Sequence, residues 1–108
     1  MTLAEVNAML TGITGFANRV AYLAFPEGEA PQLPFICYFV ENSDNFGADN
    51  EVYFEVNRIA IELYTKYKSP ADETLVENAL KANSIYWEKD ETYLSDERCF
   101  EVIYHIEV

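Results

Sequence analysis

The chain is poor in the residues that most binding and catalytic chemistry needs. Its 108 residues include two cysteines, four glycines, one histidine and seven lysines and arginines. Cys37 and Cys99 are far apart and form no CxxC pair, so a thioredoxin-like redox motif is excluded. Their apolar neighbours predict buried, reduced thiols. The glycines, at 12, 15, 28 and 47, match neither GxGxxG nor GxxxxGK spacing. No loop of backbone amides is therefore set up to cradle a phosphate. Seven cations stand against nineteen acids, a formal net charge of −12. Neutralising a phosphate backbone takes clustered Lys and Arg, so tight nucleic-acid binding is not expected, nor is adhesion to an anionic membrane. No run approaches the roughly 20 apolar residues that span a bilayer. Met1-Thr2-Leu3-Ala4-Glu5 has neither the basic start nor the apolar run of a secretory signal, which predicts a protein made and kept in a cytoplasm.

What is present suits a single globular domain over residues 1–108. Half the residues are hydrophobic and 15% are aromatic, enough to fill a core without a disulfide or a metal. The charged fraction, 24%, is ordinary and argues against disorder. Only the sign of the charge is unusual. It favours solubility, and it suits a DNA mimic or a channel wall to which DNA must not adhere.

The patterning predicts an α+β fold. Thr2-Leu3-Ala4-Glu5 matches a capping box, and Leu3, Val6, Leu10 and Ile13 then share one helical face, ending at Gly12 and Gly15. Residues 19–25 are expected to be extended, and the proline-rich stretch 26–34 to be a loop. Leu33 to Glu41 reads as a strand apolar on both faces, hence covered on both sides by core or partner. Residues 42–50 are turn-forming. A long strand is expected from Val52 to Lys66. Its phase changes between Val52, Phe54, Val56 and Ile59, Ile61, Leu63, so a bulge is expected near Asn57 and Arg58. Ser69 as N-cap, Pro70, and Asp72 with Glu73 in the first turn start a second helix, with Leu75, Val76, Ala79 and Leu80 as its buried stripe. Strands at 85–94 and 98–107 close the chain as a hairpin. The sum is an N-terminal helix, a mainly antiparallel sheet of four to five strands, a second helix packed on it, and the C-terminal hairpin.

No catalytic constellation is legible. His105 lies opposite the apolar face of the last strand, beside Glu107, and reads as a surface or interface residue. Cys99 is six residues from it on the same strand, about 20 Å away and beyond hydrogen-bond reach. Asp44, Asp49 and Glu51 share a loop whose order breaks the calcium-loop pattern. Glu88, Asp90, Glu91, Asp96 and Glu97 read as exposed hairpin carboxylates, which do acid–base work only in a pocket that raises one pKa. The expectation is no enzyme, no cofactor and no metal. Eight Tyr, seven Phe and one Trp are more than one small core takes, and aromatic side chains are favoured in protein–protein contacts. Candidate interface residues are Phe25, Pro26, Pro31, Phe46, Asp49, Tyr53, Tyr64, Tyr67 and Trp87.

Several stretches carry a resemblance: Phe25-Pro26-Glu27-Gly28-Glu29-Ala30-Pro31 followed by Leu33-Pro34-Phe35, Ser43-Asp44-Asn45-Phe46 with Ala48-Asp49-Asn50, Ile61-Glu62-Leu63-Tyr64-Thr65, and the closing hairpin with Glu91-Thr92-Tyr93. In these, over nearly the whole chain, the sequence resembles the small siphophage and prophage tail-completion proteins, which include tail terminators and head–tail joining proteins. The resemblance implies a structural virion protein at the head–tail joint or tail end that acts by ring assembly, commonly of six copies, and caps the tail tube. Implied partners are further copies, tail-tube proteins and head-connector proteins, with DNA passing through an acidic lumen. The implied location is the bacterial host cytoplasm during assembly, then the virion tail or neck. None of these motifs is a catalytic signature, so no active-site residue is carried over. The alternative, drawn from net charge alone, is an acidic DNA mimic that inhibits a nucleic-acid enzyme.

Overall fold

The structure, a computed structural model, describes residues 1–43, 45–48, 51–54 and 56–108, with backbone alone at 46–48 and 51–54. Two helices lie on one face of a five-stranded mixed sheet. The first helix, α1 (Leu3–Thr11), starts where expected: the Thr2 hydroxyl accepts from the Glu5 N–H at 3.1 Å, and the Glu5 carboxylate accepts from the Thr2 N–H at 3.0 Å. Val6, Leu10 and Ile13 are buried, while Leu3 is largely exposed. A turn through Gly15, at φ +90°, leads to buried Phe16.

The strands are β1 (Val20–Tyr22), β2 (Phe35–Ser43), β3 (Phe46–Ala48), β4 (Glu51–Phe54), β5 (Asn57–Thr65), β6 (Trp87–Leu94) and β7 (Cys99–Glu107), with α2 (Pro70–Ala82) between β5 and β6. The main sheet has the order β1-β2-β5-β7-β6; β1 runs parallel to β2 and the other pairs are antiparallel. β3 and β4 form a separate two-stranded sheet.

Two expectations about the strands are corrected here. The turn-forming stretch 42–50 carries strand residues at both ends, because β2 continues to Ser43 and β3 begins at Phe46. The single strand from Val52 to Lys66 is two strands, β4 and β5, in two different sheets; the change of phase marks a change of sheet. The register irregularity lies on β2, between Val40 and Asn42, opposite Ile59 and Arg58. In α2, Val76 and Leu80 are buried as expected, but Leu75 is 37% exposed and Glu73 takes an interior position. The Ser69 hydroxyl caps that helix by accepting from the Asp72 N–H at 3.3 Å.

The core lies between the helices and one face of the sheet. Ile36 and Tyr38 from β2, Ile59, Ile61 and Leu63 from β5, and Val102, Tyr104 and Ile106 from β7 pack against Val6, Leu10, Val76 and Leu80. Each such burial stabilises the fold by about 1.5–3 kcal/mol. All of these strand residues have one parity. The alternate residues of each strand therefore point away from both helices, and among the described residues no helix covers them. Among the described residues, no helix is long and apolar enough to cross a membrane.

Candidate interaction site on the uncovered sheet face

Register determines what shares the uncovered face. One row across the sheet reads Phe35, Tyr64, Glu101, Thr92; the next reads Cys37, Glu62, Ile103, Asp90; the third reads Phe39, Ala60, His105, Glu88. Apolar, aromatic and acidic side chains thus alternate on a half-buried surface.

At one end, the segment after β1 folds back over the sheet. The Phe25 ring meets Phe35 edge-on at 5.3 Å between centroids, and Phe35 meets Tyr64 at 5.2 Å. Arg19 fastens this segment by donating to the carbonyls of Gln32 and Pro34. Between the segment and the hairpin lies a pit of about 440 Å³, walled by Phe25, Leu33, Phe35, Tyr64 and Leu94, with Cys37 and Cys99 among its lining. Both thiols are free and buried. Burial and the nearby Glu62 charge push the Cys37 thiol up to about 11, so it stays protonated and unreactive at neutral pH.

In the middle of the face is a pair of carboxyl groups. The Tyr64 hydroxyl donates to Glu101 at 2.8 Å. Burial, then a hydrogen bond with Glu101 and the charge of Glu101, push the Glu62 carboxyl up to about 7. Glu41 adds to the repulsion. The same surroundings push the Tyr64 hydroxyl well up, burial first and Glu101 next.

At the far end, His105 bridges two acids: Nδ1 lies 3.0 Å from Glu41 and Nε2 lies 3.0 Å from Asp90. Burial works against its protonation, but these two carboxylates outweigh it and raise its pKa. Arg58 pairs with Glu107 at 3.0 Å. A cleft of about 590 Å³ opens beside them, lined by Glu41, Arg58, Tyr86 and His105 among others.

A carboxyl that holds its proton near neutrality beside a second carboxyl is the equipment of acid–base chemistry. Here the pair lies on open sheet, and neither the pit nor the cleft counts Glu62 or Glu101 in its lining. The arrangement is better suited to receive a cation laid across it. Among the described residues, no group of three or more His, Cys, Asp or Glu is placed to hold a metal ion.

The expected interface residues divide. Phe25 and Tyr64, both half-buried, line the pit; Pro31, also half-buried, lines a separate hollow beside Arg19, and Pro26 is exposed and lines neither. Tyr67 is 72% exposed beyond the end of β5. Trp87 belongs to the other face, packed against the core, with Lys81 over its ring. Phe46 and Tyr53 fall in β3 and β4, where only backbone is described, and Asp49 and Asp44 lie outside the described residues. The reading of single residues missed Glu62 and Glu101. The available signal was a single acid set between apolar residues in each strand, Glu62 between Ile61 and Leu63 and Glu101 between Phe100 and Val102. It became meaningful only once β5 and β7 were known to be neighbours. No family model matches the chain, and neither does any curated protein sequence.

Proposed function

We propose that the protein is a structural part of a phage or prophage virion, placed at the head–tail joint or tail end, where copies assemble into a ring that caps the tail tube. The station comes from the resemblance described above; the geometry supplies features suited to it. The observation that carries the reading is the β3–β4 hairpin. Among the described residues its strands pair only with each other, outside the main sheet, in a molecule 49 × 28 × 23 Å in extent. Such an arm is what a ring subunit extends to its neighbour. The charged edge strand supports the same reading. β6 presents Glu88, Lys89, Asp90 and Glu91 in succession, which disfavours uncontrolled edge-to-edge pairing. The acidic surplus keeps DNA from adhering as it passes.

The DNA-mimic alternative draws on the same charge. It is less well served by the uncovered face, where Ala60 and Ile103 interrupt the acids and Arg58 and His105 offset some of them.

Native mass spectrometry over a concentration series, alone and with tail tubes assembled from a siphophage tube protein, tests the proposal. Rings and capped tubes are expected. Replacing residues 45–56 by a short turn should leave a folded monomer that caps nothing. A wild-type chain that stays monomeric at every concentration and leaves tubes uncapped would refute the proposal.

A further inference from the structure

The uncovered face combines an apolar pit with an acid pair on which, among the described residues, no cation is seen to act. The groups acting on Glu62 are Glu101, Tyr64 and Glu41, all acidic or neutral. Elsewhere the molecule brings its cations to its acids: Lys68 and Lys89 converge on Glu73. Leaving Glu62 against Glu101 therefore retains a repulsion that a lysine or arginine from outside would relieve.

We infer that this face docks a segment of a second, basic protein, which seats an apolar side chain in the pit walled by Phe25, Leu33, Phe35 and Leu94 and lays a lysine or arginine across Glu62 and Glu101. Charge complementarity selects the occupant. A second copy is disfavoured, because it brings another net charge of −12 and its cations are largely committed. Arg19 holds two carbonyls, Lys68 and Lys89 hold glutamates, and Lys66 and Lys81 lie over the Tyr67 and Trp87 rings. The spacing is also specific. Tyr64 borders the pit and Glu62 is two residues away along β5, about 7 Å. An extended partner presents side chains at i and i+2 with the same separation on one side. The inference rests on the face alone and holds whether or not copies form rings.

The probe is a pentapeptide, acetyl-Ser-Leu-Ser-Arg-Ser-amide, titrated to millimolar concentration into the full ¹⁵N-labelled chain. The control peptide has Glu in place of Arg. Saturable amide shifts centred on Cys37, Glu62, Tyr64 and Ile103 are expected with the Arg peptide and absent with the Glu peptide. The double variant Glu62→Gln/Glu101→Gln should weaken the Arg peptide by roughly tenfold while its spectrum shows an intact fold. Equal response to both peptides, shifts spread over the whole acidic surface, no saturable shift, or an unaffected double variant would each overturn the inference. So would concentration-dependent shifts at the same residues without peptide, which would assign the face to a second copy.

Discussion

Glu73 and Glu62 are both acids removed from bulk water, on opposite sides of one sheet, and the fold treats them differently. Glu73, on α2, is only 4% exposed, and Lys68 and Lys89 bond its two oxygens at 2.7 and 3.1 Å. Burial alone would raise its pKa; the two ammonium groups outweigh that and lower it. Glu62, on β5, meets another carboxyl instead, and burial and Glu101 both raise it. An acid paired with the protein's own cations ties α2 to the start of β6. An acid left facing an acid is a stored repulsion. The covered side of the sheet explains folding, and the uncovered side is where to look for function.

The largest expected effect tests whether the two faces differ in packing at all. Leu80→Ala, in the fully buried layer under α2, should cost about 3 kcal/mol in urea unfolding, whereas Ile103→Ala on the uncovered face should cost about 1 kcal/mol or less. Equal losses would mean that the second face is as tightly packed as the first.

Next come the two glutamates. Glu73→Gln should destabilise by about 1–2 kcal/mol at pH 7, a figure held down because its lysines are nearly half exposed. Glu73 has a lowered pKa, so its contribution is present above about 4.5 and is lost as pH falls through the folded value. Glu62 has the opposite sign. Its folded pKa is raised, so the fold is favoured below about 4.5 and loses that advantage as pH rises through about 7. Glu62→Gln should therefore stabilise by about 1–2 kcal/mol at pH 8, and by much less at pH 5. Chemical denaturation of both variants at the two pH values measures the contrast. If Glu62→Gln destabilises at pH 8, the stored repulsion does not exist.

The smallest effect sharpens the far end of the open face. The proton NMR titration of His105 should have its midpoint above 6.5, and Glu41→Gln should lower it. The stabilisation is complete below about 6.5 and disappears as pH rises through the folded value, and for such a half-exposed pair it amounts to less than about 1 kcal/mol.

Much of the fold was legible because its signals are local. The Thr2–Glu5 capping box and the Ser69-Pro70 start are contacts within one helical turn, so they read directly from spacing. The alternation of Phe100 to Val108 named the last strand and its inner face. Leu75 misled because it lies one helical turn from Ala79, yet the packing leaves it 37% exposed and brings Glu73 inward, where Lys68 from just before the helix and Lys89 from β6 make the burial tolerable. The split between β4 and β5 was visible as a phase change, but a bulge and a change of sheet leave the same mark on a single strand. Of the candidate site, the aromatic half was partly seen, in Phe25 and Tyr64. The acidic half was not.

The sequence by itself determined the mixed α+β class, both helix starts, the alternation of the closing strands and the acidic surplus. Each follows from interactions between residues a few positions apart, or from composition. Only the tertiary structure decided that β5 lies beside β7, that both helices cover the same face, and that Glu62 therefore meets Glu101 while Glu73 meets two lysines. Those meetings depend on strand order and register across gaps of up to about forty residues, for which no short-range pattern in the chain carries the information.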